Sequence, residues 1–114
     1  MRALAFLLLL LPATALAQGT ASGGDLRAAI VGNTVEGAMA ASGPYAEFYA
    51  PDGTIRAADY AGRWSINGAK MCFDYGDGPA GCWRAVISGA QVVWIGPAGE
   101  EGSGVIRSGN PAGW

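Results

Sequence analysis

The chain has no histidine and only two cysteines among its 114 residues. Without histidine it lacks the commonest general base and the commonest metal ligand, so Ser-His-Asp and Cys-His catalysis are excluded. Zinc held by histidine is excluded as well, and zinc held by cysteine requires more free thiols than two paired cysteines provide. The G-x-S-x-G and phosphate-loop motifs are absent, and so is a G-x-G-x-x-G that opens a helix. We therefore expect no catalytic residue, cofactor or metal site.

Charge is also scarce, with seven basic and nine acidic side chains. The basic residues stand singly along the chain, and the net charge is negative, which argues against a nucleic-acid partner. Paired carboxylates remain the one route to acid–base catalysis. Glu36 and Glu47 are expected to be surface neighbours across the first hairpin, and Asp74 and Asp77 to be turn acids rather than calcium ligands.

The first seventeen residues have the three parts of a cleavable signal peptide. Met1-Arg2 is a short positive region, residues 3–11 are an unbroken apolar run, and Ala15-Leu16-Ala17 is a small-x-small cleavage pattern. The run is about half of the ~20 residues that a spanning helix needs, and no second long run follows. We expect cleavage after Ala17 and a periplasmic or secreted mature chain that does not span a membrane.

Export to an oxidising compartment predicts a bond between Cys72 and Cys82. The residues between them include Gly76-Asp77-Gly78-Pro79, which is strong turn chemistry. The sulfurs are therefore expected to face each other across a hairpin, on the face opposite Phe73 and Trp83. Closing this loop should stabilise the fold by roughly 2.5–3 kcal/mol. A redox pair is less favoured because its usual spacing is C-x-x-C.

The mature chain is predicted to form one all-β domain, residues 25–114, after a flexible leader at residues 18–24. A short helix is expected at Asp25–Val31, with Asp25 as its cap and Gly32 at its end. Short runs of β-branched and aromatic residues then alternate with turn residues, which favours a meander closing into a barrel or sandwich of about seven or eight strands. The predicted strands are Thr34–Met39, Tyr45–Ala50, Thr54–Asp59, Arg63–Ile66, Lys70–Tyr75, Cys82–Ser88, Gln91–Ile95 and Gly104–Arg107.

Period-two alternation assigns most of the large apolar side chains to one inner face. The predicted inner positions are Ile55, Ala57, Trp64, Ile66, Met71, Phe73, Trp83, Ala85, Ile87, Val92 and Trp94. If the sheet closes, some of these aromatics can line the mouth of a ligand cavity. Tyr45, Phe48, Tyr49 and Tyr60 flank the Pro-Asp-Gly hairpin and are candidates for a surface patch that contacts a partner. Within this group Phe48 is expected to face the core, and Tyr45 and Tyr49 to be exposed on the opposite face. The candidate ligand or partner aromatics are Tyr45, Tyr49, Trp64, Trp83 and Trp94.

Several short motifs follow one another along nearly the whole mature chain: Gly32-Asn33-Thr34, Glu47-Phe48-Tyr49, Asp52-Gly53-Thr54-Ile55-Arg56, Tyr60-Ala61-Gly62-Arg63-Trp64, Met71-Cys72-Phe73-Asp74-Tyr75, Cys82-Trp83 and Gly109-Asn110-Pro111. This ordered set resembles a family of small secreted proteins from alphaproteobacteria. The resemblance implies no assigned activity or site, although some members carry a dihydrodipicolinate reductase label. The G-x-W at Gly62 is also similar to that of lipocalins, but it falls in the middle of a much shorter chain.

These observations predict a non-catalytic binding or interaction module with no cofactor. The partner is expected to be an envelope protein or a small apolar or glycan ligand. The alternative is an enzyme, including the reductase that the label names, for which the chain has no nucleotide-binding motif. An internal cavity lined by tryptophan would favour the ligand, and a filled core with an exposed aromatic patch would favour the protein partner.

Overall fold

The structure is a computed structural model that describes residues 19–114. The signal peptide predicted at residues 1–17 lies outside this range. The described residues form a closed barrel of eight antiparallel strands with one helix before it, in which each strand pairs with the next and the last pairs with the first. The elements are α1 Gly23–Ile30, β1 Thr34–Met39, β2 Gly43–Tyr49, β3 Thr54–Arg56, β4 Ala61–Asn67, β5 Lys70–Asp74, β6 Gly81–Ser88, β7 Gln91–Gly96 and β8 Gly99–Arg107. The all-β prediction is confirmed, and the arrangement is a barrel rather than a sandwich.

Helix α1 begins two residues before the predicted start because Ser22, and not Asp25, is its N-cap. The backbone N–H of Asp25 donates to the Ser22 hydroxyl, and the backbone N–H of Ser22 donates to the Asp25 carboxylate, both at 3.1 Å. This reciprocal capping box satisfies two amides that the first turn would leave without acceptors. Leu26 and Ile30 are fully buried and close one end of the barrel.

The segment just before α1 also belongs to the folded domain, although residues 18–24 were predicted to be a flexible leader. Ala21 is 7% exposed and lies in the core cluster. Its backbone N–H donates to the carbonyl of Ala85 at 2.7 Å. The residues of this stretch are small, so the sequence shows no apolar pattern there. In the structure the small side chain of Ala21 fits between α1 and β6.

Two hairpin turns form at the positions predicted for them, and glycine makes each possible. Gly68 follows Asn67 between β4 and β5 with φ of 60°, and Gly53 follows Asp52 between β2 and β3 with φ of 88°. Such positive φ values are costly for residues with a Cβ. These turns and the one between β6 and β7 lie at the end that α1 closes, so the other four connections lie together at the opposite end.

The predicted inner face of β3 to β7 is largely confirmed. Buried members of the core cluster lie on these strands with the predicted alternation: Ile55, Trp64, Met71, Phe73, Ala85, Val92 and Trp94. Ile66, Trp83 and Ile87 pack against this cluster and are partly buried. Strand β3 is shorter than predicted because Ala57 turns away, its N–H donating to the carbonyl of Tyr60. Ala57 is therefore not part of a strand face.

The predicted disulfide is confirmed. Cys72 and Cys82 are direct cross-strand partners on β5 and β6 and are bonded to each other. Phe73 and Trp83, the next residues along, belong to the inner cluster or pack against it, so the bond lies on the outer face of the barrel as expected. The bond ties β5 to β6, and the loop that connects these two strands lies at the end of the barrel opposite α1.

Strand β8 begins five residues before its predicted start. Gly99-Glu100-Glu101-Gly102-Ser103 reads as a loop because it has no apolar residue, but it pairs with β7 and then with β1. The β7–β8 register shifts between Trp94 and Ile95. Trp94 lies opposite Gly102 and Ile95 opposite Glu100, so Glu101 is the extra residue of a bulge.

The chain end folds back against the start of β1. The backbone N–H of Gly109 donates to the side chain of Asn33, and the Thr34 hydroxyl donates to the carbonyl of Gly109. Asn110 closes the final turn through two hydrogen bonds with the backbone of Trp114. Among residues 19–114 no helix is long and apolar enough to cross a membrane.

Candidate functional site

The open end of the barrel holds a cavity of about 670 Å³. It lies opposite α1, between the loops that join β1 to β2, β3 to β4, β5 to β6 and β7 to β8. Its lining consists of seven aromatic residues, four carboxylates and six further residues from the β1–β2 loop and the strand ends: Tyr45, Tyr49, Tyr60, Phe73, Tyr75, Trp83, Trp94, Glu47, Asp77, Glu100, Glu101, Met39, Ala40, Ala41, Ser42, Pro44 and Ala61. The barrel is thus filled at one end and hollow at the other.

Glu47 is the central polar group of the cavity floor. It lies on β2 between Tyr45 and Tyr49, and all three side chains point into the barrel because alternate residues of a strand share a face. Glu47 is only 3% exposed. The described residues contain no cationic partner for it, and its oxygens are satisfied by phenols instead.

Three tyrosine hydroxyls donate to this carboxylate. Tyr49 Oη lies 2.9 Å from Oε1, and Tyr60 Oη lies 3.0 Å from Oε2. Tyr75 Oη lies 2.9 Å from Oε1 and 2.8 Å from Oε2, so its single proton is shared between them. The three phenols come from β2, from the β3–β4 loop and from the residue after β5. One carboxylate therefore fixes three separate parts of the barrel around the cavity.

The same arrangement raises the pKa of each of these phenols. For Tyr49, Tyr60 and Tyr75 burial is the largest cause, since it disfavours the phenolate, and the nearby charge of Glu47 raises each pKa further. Burial also raises the pKa of Tyr45, although its hydrogen bond from Trp94 acts in the opposite direction. The tyrosines of the cavity are thus held in their neutral, hydrogen-bond-donating form.

Tyr45 and Trp94 form a second hydrogen-bonded unit on the cavity wall. The indole N–H of Trp94 donates to the Tyr45 hydroxyl at 2.9 Å, and that hydroxyl donates to the carbonyl of Ser103 at 3.1 Å. The Tyr45 side chain can approach β8 this closely only because residue 104 is a glycine. A Cβ at Gly104 would lie 2.6 Å from both the Tyr45 hydroxyl and Val35 Cγ1.

We expect Gly104→Ala to lower the free energy of unfolding by about 1–3 kcal/mol, because the added methyl overpacks the wall and displaces the Tyr45 hydroxyl. Thermal or urea unfolding measures the change. Gly24→Ala is the matched control, since its Cβ would meet only the Ser22 hydroxyl at 3.8 Å. Equal stability of the two variants would contradict the close packing of Tyr45 against β8.

The bulge in β8 brings a second carboxylate to the cavity. Glu101, the extra residue, is half-buried, and its Oε2 accepts a hydrogen bond from the indole N–H of Trp83 at 2.5 Å. Glu100 and Asp77 are exposed at the mouth. In the described residues no group of three or more histidine, cysteine, aspartate or glutamate side chains is arranged to hold a metal ion.

The structure brings together four of the five aromatics singled out from the sequence. Tyr45, Tyr49, Trp83 and Trp94 all line the cavity. Trp64 lies at the filled end, where its indole N–H donates to the carbonyl of Ala50 at 2.8 Å and the Arg27 guanidinium lies 5.8 Å from its ring. Trp64 thus belongs to the closure of the barrel by α1.

The predicted surface patch is wrong for the two tyrosines of β2. Tyr49 is 1% exposed and Tyr45 lines the cavity, because the face opposite Phe48 is the barrel interior. Phe48 is 9% exposed on the outer face, where Arg56 lies 6.0 Å from its ring. Of the four residues predicted to form the surface patch, only Tyr60 is substantially exposed, at 42%.

The expected pairing of Glu36 with Glu47 on the surface is also wrong. Glu36 lies opposite Ala46 on the outer face and forms an ion pair with Arg107, whereas Glu47 lies opposite Val35 and points inward. A strand that places Phe48 on one face puts Tyr45, Glu47 and Tyr49 together on the other. That alternation was the available signal for the buried carboxylate. Glu101, Tyr60 and Tyr75 had no such signal, because a bulge and two loops position them.

No family model, no curated protein and no solved structure matches the chain. The resemblance to secreted alphaproteobacterial proteins therefore stays a prediction. The functional interpretation rests on the geometry of the cavity.

Proposed function

We propose that this domain is an exported, non-catalytic binding protein that holds one small, largely apolar ligand in the cavity at the open end of the barrel. The observation that carries the proposal is the uneven filling of the barrel. Side chains of α1 occupy one end, and a cavity of about 670 Å³ occupies the other. Small-molecule sites are typically concave, aromatic-rich and of roughly 300–1,000 Å³.

The position of the aromatic side chains supports a small ligand over a protein partner. Most of the rings point inward, and Tyr60 and Tyr75 are the exposed large hydrophobic residues of the described chain. Both of these tyrosines donate to Glu47 at the cavity rather than forming a patch on the barrel wall. They are placed to contact a ligand as it enters.

Binding is also better supported than catalysis. Both oxygens of Glu47 accept hydrogen bonds from phenols, which suits a side chain that holds the cavity together rather than one left open to a substrate. A dihydrodipicolinate reductase would need a dinucleotide-binding domain, which is an open parallel sheet, whereas residues 19–114 form a closed antiparallel barrel. The signal-peptide pattern and the disulfide both support export to the periplasm or beyond.

The experiment is a titration of the mature protein with N-phenylnaphthylamine, a neutral apolar fluorophore that brightens when it leaves water. We expect saturable binding to one site per chain. Ala41→Trp, which adds bulk to the cavity lining, should weaken the affinity about tenfold or more, equivalent to about 1.4 kcal/mol. Ala98→Trp is the matched control, because Ala98 lies in a loop at the same end but outside the lining. Absence of binding, or equal affinity of both variants, would contradict the proposal.

A further inference from the structure

We infer that the cavity selects a ligand with a positively charged nitrogen group attached to an apolar body. This inference rests on the proposed function and specifies the ligand class. Three features of the cavity carry it: the sign of its charges, the burial of Glu47 without a cation, and the aromatic residues that line it.

The charges that line the cavity are all negative. Glu47, Asp77, Glu100 and Glu101 contribute carboxylates, and residues 19–114 place no lysine or arginine in the lining. The ion pairs of the described residues lie elsewhere: Arg56 with Asp52, and Arg107 with Glu36, all on exposed side chains. An anionic ligand would meet repulsion at the mouth and at the floor of the cavity.

Glu47 is the strongest single indication of a cation. A glutamate that is 3% exposed is normally paired with a positive side chain, because burying an isolated charge is costly. Its phenol partners donate hydrogen bonds to both oxygens but bring no positive charge. A cation in the cavity would supply that charge, and the interaction is strong there because the surroundings are less polar than water.

The aromatic walls suit the same ligand. Ring faces carry negative potential and attract ammonium groups, most strongly when several rings surround the cation away from water. Here Phe73 contacts Trp94 edge to face, with 5.4 Å between ring centroids, and contacts Trp83 in a tilted arrangement, with 5.7 Å between centroids. Tyr60 and Tyr75 form another edge-to-face pair at 5.9 Å, next to the floor carboxylate. All five of these aromatic residues line the cavity.

The test compares two ligands of the same shape. Benzyltrimethylammonium carries a quaternary nitrogen, and neopentylbenzene has a neutral carbon in the same position. Tryptophan fluorescence of the mature protein follows binding of each, and benzenesulfonate serves as the anionic probe. We expect the cation to bind at least about tenfold more tightly than the neutral isostere, within the range that cation–aromatic and charge contacts provide in desolvated sites. We expect no measurable binding of the sulfonate.

The Glu47→Gln variant then assigns the preference to the floor carboxylate. It keeps the shape of the side chain and removes the charge, so the preference for the cation should fall at least about threefold. Glu36→Gln is the matched control, because it makes the same chemical change on the outer face of the barrel. If Glu47→Gln does not fold, Glu101→Gln at the half-buried bulge is expected to reduce the preference by a smaller factor.

Two results would overturn the inference. If both ligands bind equally, the cavity is an apolar site without charge selectivity, and the proposed function stands alone. If neither of the two isosteres binds while N-phenylnaphthylamine does, the cation is again not the ligand class. The proposed function itself is tested separately with the neutral fluorophore, and it fails when that probe does not bind or when Ala41→Trp and Ala98→Trp bind it equally. If a folded Glu47→Gln protein kept the full preference for the cation, Glu47 would not be the group that selects it.

Discussion

Raising the pH above about 10 is expected to unfold the barrel in one cooperative step, with all tyrosines of the chain ionising together. The pKa of each cavity tyrosine is raised in the folded state, so between the unfolded value of about 10 and the higher folded value the native protein binds more protons than the unfolded chain. The stability that the neutral phenols contribute is fully present below the unfolded pKa. It is lost as the pH rises from that value through the folded pKa. Tyr49, which is almost fully buried, contributes about 1.4 kcal/mol per pH unit.

Tyr60 and Tyr75 contribute less than Tyr49, because each is 42% exposed and water screens the charge of its phenolate. The measurement is an alkaline titration that follows tyrosinate absorbance and near-ultraviolet circular dichroism together. Tyr49→Phe is the control. Its free energy of unfolding should fall less steeply, by about 1.4 kcal/mol per pH unit, because it lacks one titrating phenol. Tyrosinate absorbance that rises near pH 10 while the dichroism stays native would show that the phenols are not held in their neutral form.

Glu47→Ala is expected to lower the free energy of unfolding by about 2–4 kcal/mol at neutral pH. The substitution removes the shared acceptor of three phenols and leaves the buried Tyr49 hydroxyl without a partner. An unsatisfied buried hydroxyl costs about 1–3 kcal/mol, and the lost side-chain volume adds to that cost. The cost is limited because a charge no longer has to be buried. Chemical denaturation at pH 7 measures the difference.

Glu36→Ala provides the comparison for this loss. Glu36 has an exposed ion pair with Arg107, and such pairs contribute about 0–1 kcal/mol. If the two alanine variants were equally stable, Glu47 would not be the group that holds the cavity together. Hydrogen exchange should also report faster opening near Tyr60 and Tyr75 in Glu47→Ala than in the wild type.

The sequence predicted the architecture well where apolar residues alternate. Trp64, Phe73 and Trp94 stand at alternating positions in strands bounded by glycine turns, and all three are buried inside the barrel. The closure itself could not be read from these patterns, because it depends on the pairing of β8 with β1. Six of the nine residues of β8 are glycine, glutamate or serine, which have little strand propensity, and only the neighbouring strands hold β8 extended.

The site was predicted in its aromatic part and missed in its polar part. Trp83 and Trp94 were identified as candidates because aromatic residues on an inner face can line a cavity, whereas Tyr45 was identified as part of a surface patch. Glu47 was assigned to the surface as a neighbour of Glu36 across the first hairpin. Its burial requires phenols from two other parts of the barrel, and nothing local in the sequence shows that Tyr60 and Tyr75 meet it.

The most direct test of the central claim is the nitrogen–proton NMR spectrum of the four indole N–H groups during titration with benzyltrimethylammonium. We expect the signals of Trp83 and Trp94, which line the cavity, to move progressively to saturation. Those of Trp64 at the closed end and Trp114 in the folded-back tail should stay in place. Saturable shifts of Trp64 or Trp114 alone, or no saturable shift of Trp83 and Trp94, would contradict a binding site in the open end of the barrel.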